Sequence, residues 1–221
     1  MIREFSVGPI GENVYIIEQP GVPVVVVDPG AEADRLLGKI DAAVSRAGTR
    51  SVLIACTHGH LDHVAAVPEL MFGLRGRGLE VRLFAPMADR DYFGAPAEET
   101  NRRAFQDILA MMFFQRFWTP IPEADEYFED GRELPGTGII VIHTPGHTRG
   151  SSCFLAENGS ALLSGDTLFR SGRGRTDNFD GDEADIVASI RERLCCLPDG
   201  VRVWPGHGEA TTIGREKRLY L

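Results

Sequence analysis

Apolar and polar positions fall in short blocks along this chain, and the block lengths predict strands and helices in regular succession. Residues 2–7, 14–18 and 24–27 read as three opening strands, separated by the turns Gly8-Pro9-Ile10-Gly11 and Gln19-Pro20-Gly21. Over 31–47 the residues Leu36, Leu37, Ile40, Ala43 and Val44 recur at helical spacing. A buried strand at 51–56 follows, then the loop 57–63, a helix opening near Asp62 or His63, and a strand at 80–85. The second half repeats the alternation. It has a strand at 139–142, a hairpin of 152–156 with 161–164, a Gly-rich loop over 165–181, a helix over 182–194 and a strand at 201–204. Two such halves predict an α/β fold with two sheets face to face and helices outside, in one domain over 1–221.

One segment, 86–122, breaks the rhythm. Its stretch 103–118 predicts a helix with Phe105, Ile108, Leu109 and Met112 on one stripe and Met111, Phe114 and Trp118 on another. A helix apolar on two sides must bury both. Core packing, a homo-oligomer interface and a lid or pocket wall are the three destinations open to it.

Composition narrows the class. At 221 residues, 43% hydrophobic and 25% charged, the chain can bury a substantial core. No apolar run reaches the 18 residues a membrane span needs, and the N-terminus lacks the apolar stretch of a signal peptide. With 32 acidic and 23 basic residues the net charge is −9, which disfavours a nucleic-acid partner. Cys56, Cys153, Cys195 and Cys196 form no C-x-x-C pair and read as small core residues of a reduced, cytoplasmic protein.

The chemistry concentrates in Thr57-His58-Gly59-His60-Leu61-Asp62-His63, which holds three of the six histidines. A helix cap would need one such residue, not four. His147, Asp166 and His207 each follow a predicted strand beside a glycine, so all can project from the same sheet edge. Seven such groups exceed one tetrahedral site and suit two divalent metals sharing a carboxylate, zinc ahead of iron or manganese. His143 reads instead as a hydrogen-bonded strand-end histidine. Asp28 is placed to orient a ligating imidazole or to lead a helix.

These motifs, with Thr144-Pro145-Gly146-His147-Thr148, Gly165-Asp166-Thr167-Leu168-Phe169 and Pro205-Gly206-His207-Gly208, resemble the metallo-β-lactamase superfamily. Gly165 to Phe169 and Gly174-Arg175-Thr176-Asp177 resemble its glyoxalase II (hydroxyacylglutathione hydrolase) branch, in particular the short single-domain bacterial members. The resemblance spans 1–85 and 137–214. It implies a four-layer αβ/βα sandwich with a helical insertion at about 86–122. It implies one metal on His58, His60 and His147, a second on Asp62, His63 and His207, and Asp166 bridging them. Asp62 and Asp166 are the carboxylates of the implied catalytic centre.

The activity expected from that resemblance is hydrolysis of a small-molecule thioester, a glutathione conjugate such as S-lactoylglutathione, by a metal-bridging hydroxide. Arg173 and Arg175 are candidates for pairing with a substrate carboxylate; the other reading is solvated loop arginines or a structural Arg175–Asp177 contact. An iron-dependent persulfide dioxygenase, an acyl-homoserine-lactone lactonase and a non-catalytic metal-binding module are the alternatives.

Overall fold

Every second residue of the central strands faces a different core, and this alternation fixes the layering. In the computed structural model, which describes residues 1–221, Val24, Val26, Val52 and Ile54 pack against helices. Their neighbours Val25, Val27, Leu53 and Ala55 pack against the second sheet. Strands buried on both faces read as continuous apolar runs, which is how Val24–Val27 and Val52–Cys56 read.

The first sheet contains β1 (Ile2–Val7), β2 (Glu12–Ile17), β3 (Val24–Val27), β4 (Ser51–Ala55), β5 (Glu80–Pro86) and β6 (Glu126–Phe128), in that order. It is antiparallel through β3 and parallel from β3 to β6. The parallel links need crossovers, supplied by α1 (Ala33–Ala47) between β3 and β4, and by α2 (Leu61–Val64) and α3 (Val67–Gly76) between β4 and β5. Leu36, Leu37, Ile40, Ala43 and Ala47 are the buried face of α1, and Gly48 closes it in the left-handed conformation, φ 67°, with its N–H on the Val44 carbonyl.

The second sheet is built from β7 (Glu133–Leu134), β8 (Ile139–His143), β9 (Ser152–Ala156), β10 (Ala161–Gly165), β13 (Arg202–Pro205) and β14 (Thr211–Thr212). Between β10 and β13 run a small ribbon, β11 (Leu168–Phe169) with β12 (Gly172–Arg173), and a helix. The strand order is β14-β13-β10-β9-β8-β7, and the expected hairpin pairs Ala161 with Ala156. The helix is α6 (Glu183–Ala188), capped by the Asp182 side chain and prolonged by a π turn to Leu194. Ile186, Ile190 and Leu194 cover the outer face of this sheet; α7 (Ile213–Glu216) follows β14. Helix, sheet, sheet, helix is the four-layer sandwich anticipated. No helix is long and apolar enough to cross a membrane.

Two expectations are corrected. Residues 103–118 are not one helix: α4 (Ala97–Asp107) and α5 (Met111–Phe117) meet at a break where Leu109 takes φ 58°. The break rotates the two stripes apart. Phe105 and Phe114 are buried, while Leu109 and Met112, placed on an inward stripe by uninterrupted helical spacing, are 94% and 86% exposed. And of the four cysteines only Cys56, Cys153 and Cys195 are buried; Cys196 lies at the surface.

Candidate metal centre

The C-terminal ends of β4, β8, β10 and β13 open onto one edge of the sandwich, and each carries part of a single polar cluster. His58 lies in the bend that leaves β4, and His60, in extended backbone, stands just ahead of α2; Asp62 and His63 lie in the first turn of that helix. His147 follows β8, Asp166 is the residue after β10, and His207 lies two residues beyond β13. All seven predicted residues converge.

His58, His60 and His147 bring their ring nitrogens within 4.8 Å of one another, and so do the donor atoms of Asp62, His63 and His207. His60 Nδ1 and His147 Nε2 lie 2.9 Å apart. Asp166 stands between the groups: Oδ1 is 3.4 Å from His63 Nε2, while Oδ2 is 3.7 Å from His147 Nε2 and 3.8 Å from His207 Nε2. His207 Nε2 is 3.4 Å from Asp62 Oδ2.

His58 Nε2, His63 Nε2 and Asp166 Oδ1 are buried with no hydrogen-bond partner. Unsatisfied buried polar atoms are costly, about 1–3 kcal/mol each, so three of them in and between these two donor groups fit cations. The residues present fit a metal pair.

The imidazoles are held from behind. Asp28, itself at φ 51°, accepts from the Thr57 N–H and hydroxyl, both at 2.6 Å, and lies 3.2 Å from His63 Nδ1. Thr57 Oγ1 in turn sits 3.1 Å from His58 Nδ1. The Nδ1 of His147 is 2.7 Å from the carbonyl of Arg175, a contact in which the ring N–H donates and Nε2 is left bare. Gly206 is required for closeness: a Cβ there would strike Asp166 Oδ1 and lie 2.8 Å from His63 Cε1.

Charge is distributed to match. Burial, reinforced by the neighbouring His147, drops His60 to about 3, and burial lowers His58 well below the usual histidine range. Both rings are therefore neutral, the form that ligates. Burial also disfavours charge on His63, but the carboxylates of Asp166 and Asp62 overcome it and push that ring well up. Asp62 is held at about 2, chiefly by His63 against the cost of burial, and Asp166 is lowered in the same way. In the metal-free chain a proton on His63 offsets part of the negative charge of Asp62 and Asp166.

Five contributors were not singled out from sequence. Asp89, buried just beyond β5, accepts from the Gly59 N–H at 3.0 Å, the Thr148 hydroxyl at 2.7 Å and the Gly150 N–H at 2.6 Å, tying the β4 loop to the β8 loop. Asn13 donates to the carbonyls of Pro205 and Gly208 at 3.0 and 2.9 Å, and the Tyr15 hydroxyl reaches Pro205 at 2.6 Å, fixing the His207 loop. Asn178 donates to the His147 carbonyl at 3.2 Å beside His60. Glu12 is buried with both carboxylate oxygens unpartnered, one of them 3.8 Å from His63 Nδ1. Asp89 obeys the strand-end rule that found Asp166; the other four carry no local signal.

Asp28 takes the orienting role open to it, and His143 is a strand-end histidine with Nε2 at 2.9 Å from the Arg149 carbonyl. Arg175 forms a two-pronged pair with Asp177 at 2.7 and 2.8 Å, and Arg173 pairs with Glu183. Of the two, only Arg175 borders the cavity over the centre.

That cavity holds about 320 Å³. His60, Asp62, His147, Asp166 and His207 form its floor, with Arg175 and Asn178 at one side. Its opposite wall is apolar: Ile10, Ala104, Phe105, Ile108, Ala110 and Phe113. The rings of Phe105 and Phe113 stack at 5.4 Å, and Phe105 stands 6.4 Å from His60.

The family model for the metallo-beta-lactamase superfamily matches residues 7–207. The hydroxyacylglutathione hydrolase GloC of Haemophilus influenzae is 32% identical over 212 residues, 94% of this chain and 90% of that protein. The crystal structure of TTHA1623 in a di-iron-bound form superposes with TM-score 0.76 at 33% identity, covering 98% of this chain and 97% of that one. The BLEG-1 B3 metallo-beta-lactamase superposes with TM-score 0.81 at 29% identity, covering 99% and 97%.

Proposed function

The chain belongs to the metallo-β-lactamase superfamily, and from that premise we propose that it is a dinuclear metal-dependent thioesterase acting on a small acyl thioester such as S-lactoylglutathione. His58, His60 and His147 would hold one cation, Asp62, His63 and His207 the other, with Asp166 shared. Zinc suits imidazoles with one or two carboxylates best, and iron is the metal of the di-iron-bound relative. Bound cations supply a water acidified to a pKa near 7 and polarisation of the scissile carbonyl.

The chain's own part is to place and to exclude. Asp28 and the Arg175 carbonyl keep the ring nitrogens aimed at the floor. The α4–α5 wall keeps bulk water from one side of the reacting carbonyl. The Asn178 amide, beside His60, is the neutral donor nearest the floor.

One observation carries the choice of a thioester. Every titratable side chain bordering the cavity is either one of the seven ligand candidates or Arg175. No further acid stands ready to protonate a leaving group. A thiolate, with a conjugate acid near pKa 8.5, departs without one, whereas an amine leaving an amide does not. The likeness to a hydroxyacylglutathione hydrolase points the same way.

The test is metal content of the purified protein, followed by thiol release from S-lactoylglutathione. About two metal equivalents and catalytic thiol release are the expected results. A single iron with oxygen uptake on glutathione persulfide, or lactone opening faster than thiol release, overturns the reading.

A further inference from the structure

The apolar wall has no partner in the chemistry so far described. Hydrolysis needs the floor; it does not need six apolar side chains beside that floor, five of them from a separate insertion. The two ends of the cavity also differ. Ala104 and Phe105 are 2% and 5% exposed, whereas Ile10 is 49% exposed and the Arg175 side chain 46%. The apolar wall is therefore closed beside the floor, and the one arginine stands where the cavity is open and is already neutralised by Asp177.

A polar, charged group has nothing to pair with at the closed end and would lose its hydration there. An alkyl chain gains about 0.8 kcal/mol per methylene buried, a factor of about four. The thiol half of a glutathione thioester is polar and charged and keeps its hydration only at the open end. The acyl half then lies against α4 and α5.

We infer that the enzyme selects thioesters whose acyl group is an unbranched apolar chain, seated in the closed end between Ala104, Phe105, Ile108 and Phe113, in preference to short hydroxyacyl groups. This rests on the thioesterase reading and sharpens its substrate class. Phe113 and Ile108 are only half-buried, so the wall keeps free apolar surface for a chain to cover. The Phe105–Phe113 stack gives that surface a flat face.

The experiment uses the metal-loaded protein and compares kcat/KM for the acetyl, butyryl, hexanoyl and lactoyl thioesters of glutathione. The expected result is a rise of about fourfold per methylene until the chain outgrows the cavity, with hexanoyl ahead of lactoyl. Ala104→Phe, which fills the closed end, should cut the hexanoyl-to-acetyl ratio at least tenfold. Ile108→Ser, at a half-buried position that tolerates a polar group, should cut it severalfold and serves if the first variant does not fold. A flat series, or lactoyl as the best substrate, overturns the inference. So does an equal gain when the added methylenes are placed on the thiol side instead.

Calorimetric binding of the product acids separates this failure from failure of the thioesterase reading. If hexanoate binds at least tenfold tighter than lactate and Ala104→Phe or Ile108→Ser removes the difference, the apolar site stands even with no thioester cleaved. Equal affinities for the two acids dispose of it.

Discussion

The floor and the wall of the cavity are built on opposite principles. The floor residues stand at strand ends or in the helix turn that follows one, and their loops are tied by hydrogen bonds from Asp28, Asp89, Asn13 and the Arg175 carbonyl. The wall consists of two short helices joined through a left-handed leucine and held mainly by ring contacts, Phe105 on Phe113 and Phe114 on Trp118 among them. Hydrogen-bond networks fix positions to fractions of an ångström, while ring packing tolerates substitution if volume is kept. Single changes at the floor should therefore abolish the chemistry, and single changes at the wall should shift selectivity.

The largest expected effect tests the floor. Asp166→Ala removes the carboxylate common to both metal groups. Bound metal should fall from two equivalents to at most one, and kcat/KM on the order of 10³-fold, as several kcal/mol of charge stabilisation are lost. Full metal content in this variant would refute the shared role.

Asp89 comes next, because it ties two ligand loops without touching a metal. Asp89→Asn cannot accept all three of its hydrogen bonds, and metal affinity should fall about 10- to 100-fold as the loops part. A pH signature accompanies it. Burial and the nearby Asp180 raise the Asp89 carboxyl to about 7, from 3.8 in the unfolded chain. Between those values the folded chain holds a proton that the unfolded chain releases, so this contribution to stability grows as pH falls from 7 to 4. The difference between wild type and Asp89→Asn in urea unfolding of the metal-free protein should widen by up to a few kcal/mol over that range. Parallel pH curves would remove Asp89 as the cause.

On the wall the effects are smaller and leave metal content alone. Phe105→Ala should cost about 2–3 kcal/mol, less than a fully enclosed phenylalanine because one face already borders the cavity. Smallest of all, Leu109→Gly relieves a left-handed residue with an almost fully exposed side chain and should raise Tm by about 1–3 °C. A drop in Tm would mean that the exposed leucine contributes to packing after all.

The same division explains what could be read from sequence. His58, His60, Asp62 and His63 announce themselves because four donors fall in six positions after an apolar run, and His147, Asp166 and His207 repeat the strand-end placement. The layers were legible because Val24 to Val27 and Ser51 to Cys56 are unbroken apolar runs. Glu12, Asn13 and Asn178 were not, since each meets the centre only through topology, Asn13 across 192 residues to Pro205. The break at Leu109 was also hidden. No glycine or proline marks it, and helical periodicity placed Leu109 and Met112 on a face they do not occupy. Asp107 and Leu109 give no local reason to stop; the packing of Phe105 and Phe114 does.

The reach of Asn13 and Tyr15 to the His207 loop also bears on how the protein is made. The second strand emerges from the ribosome early and its last binding partners emerge nearly two hundred residues later. A nascent chain that has passed His147 already owns one complete histidine trio, while the acidic trio still lacks His207. Since the Arg175 carbonyl that orients His147 and the Pro205 carbonyl that anchors the first hairpin are both made later still, neither trio is held in place until the second sheet is complete.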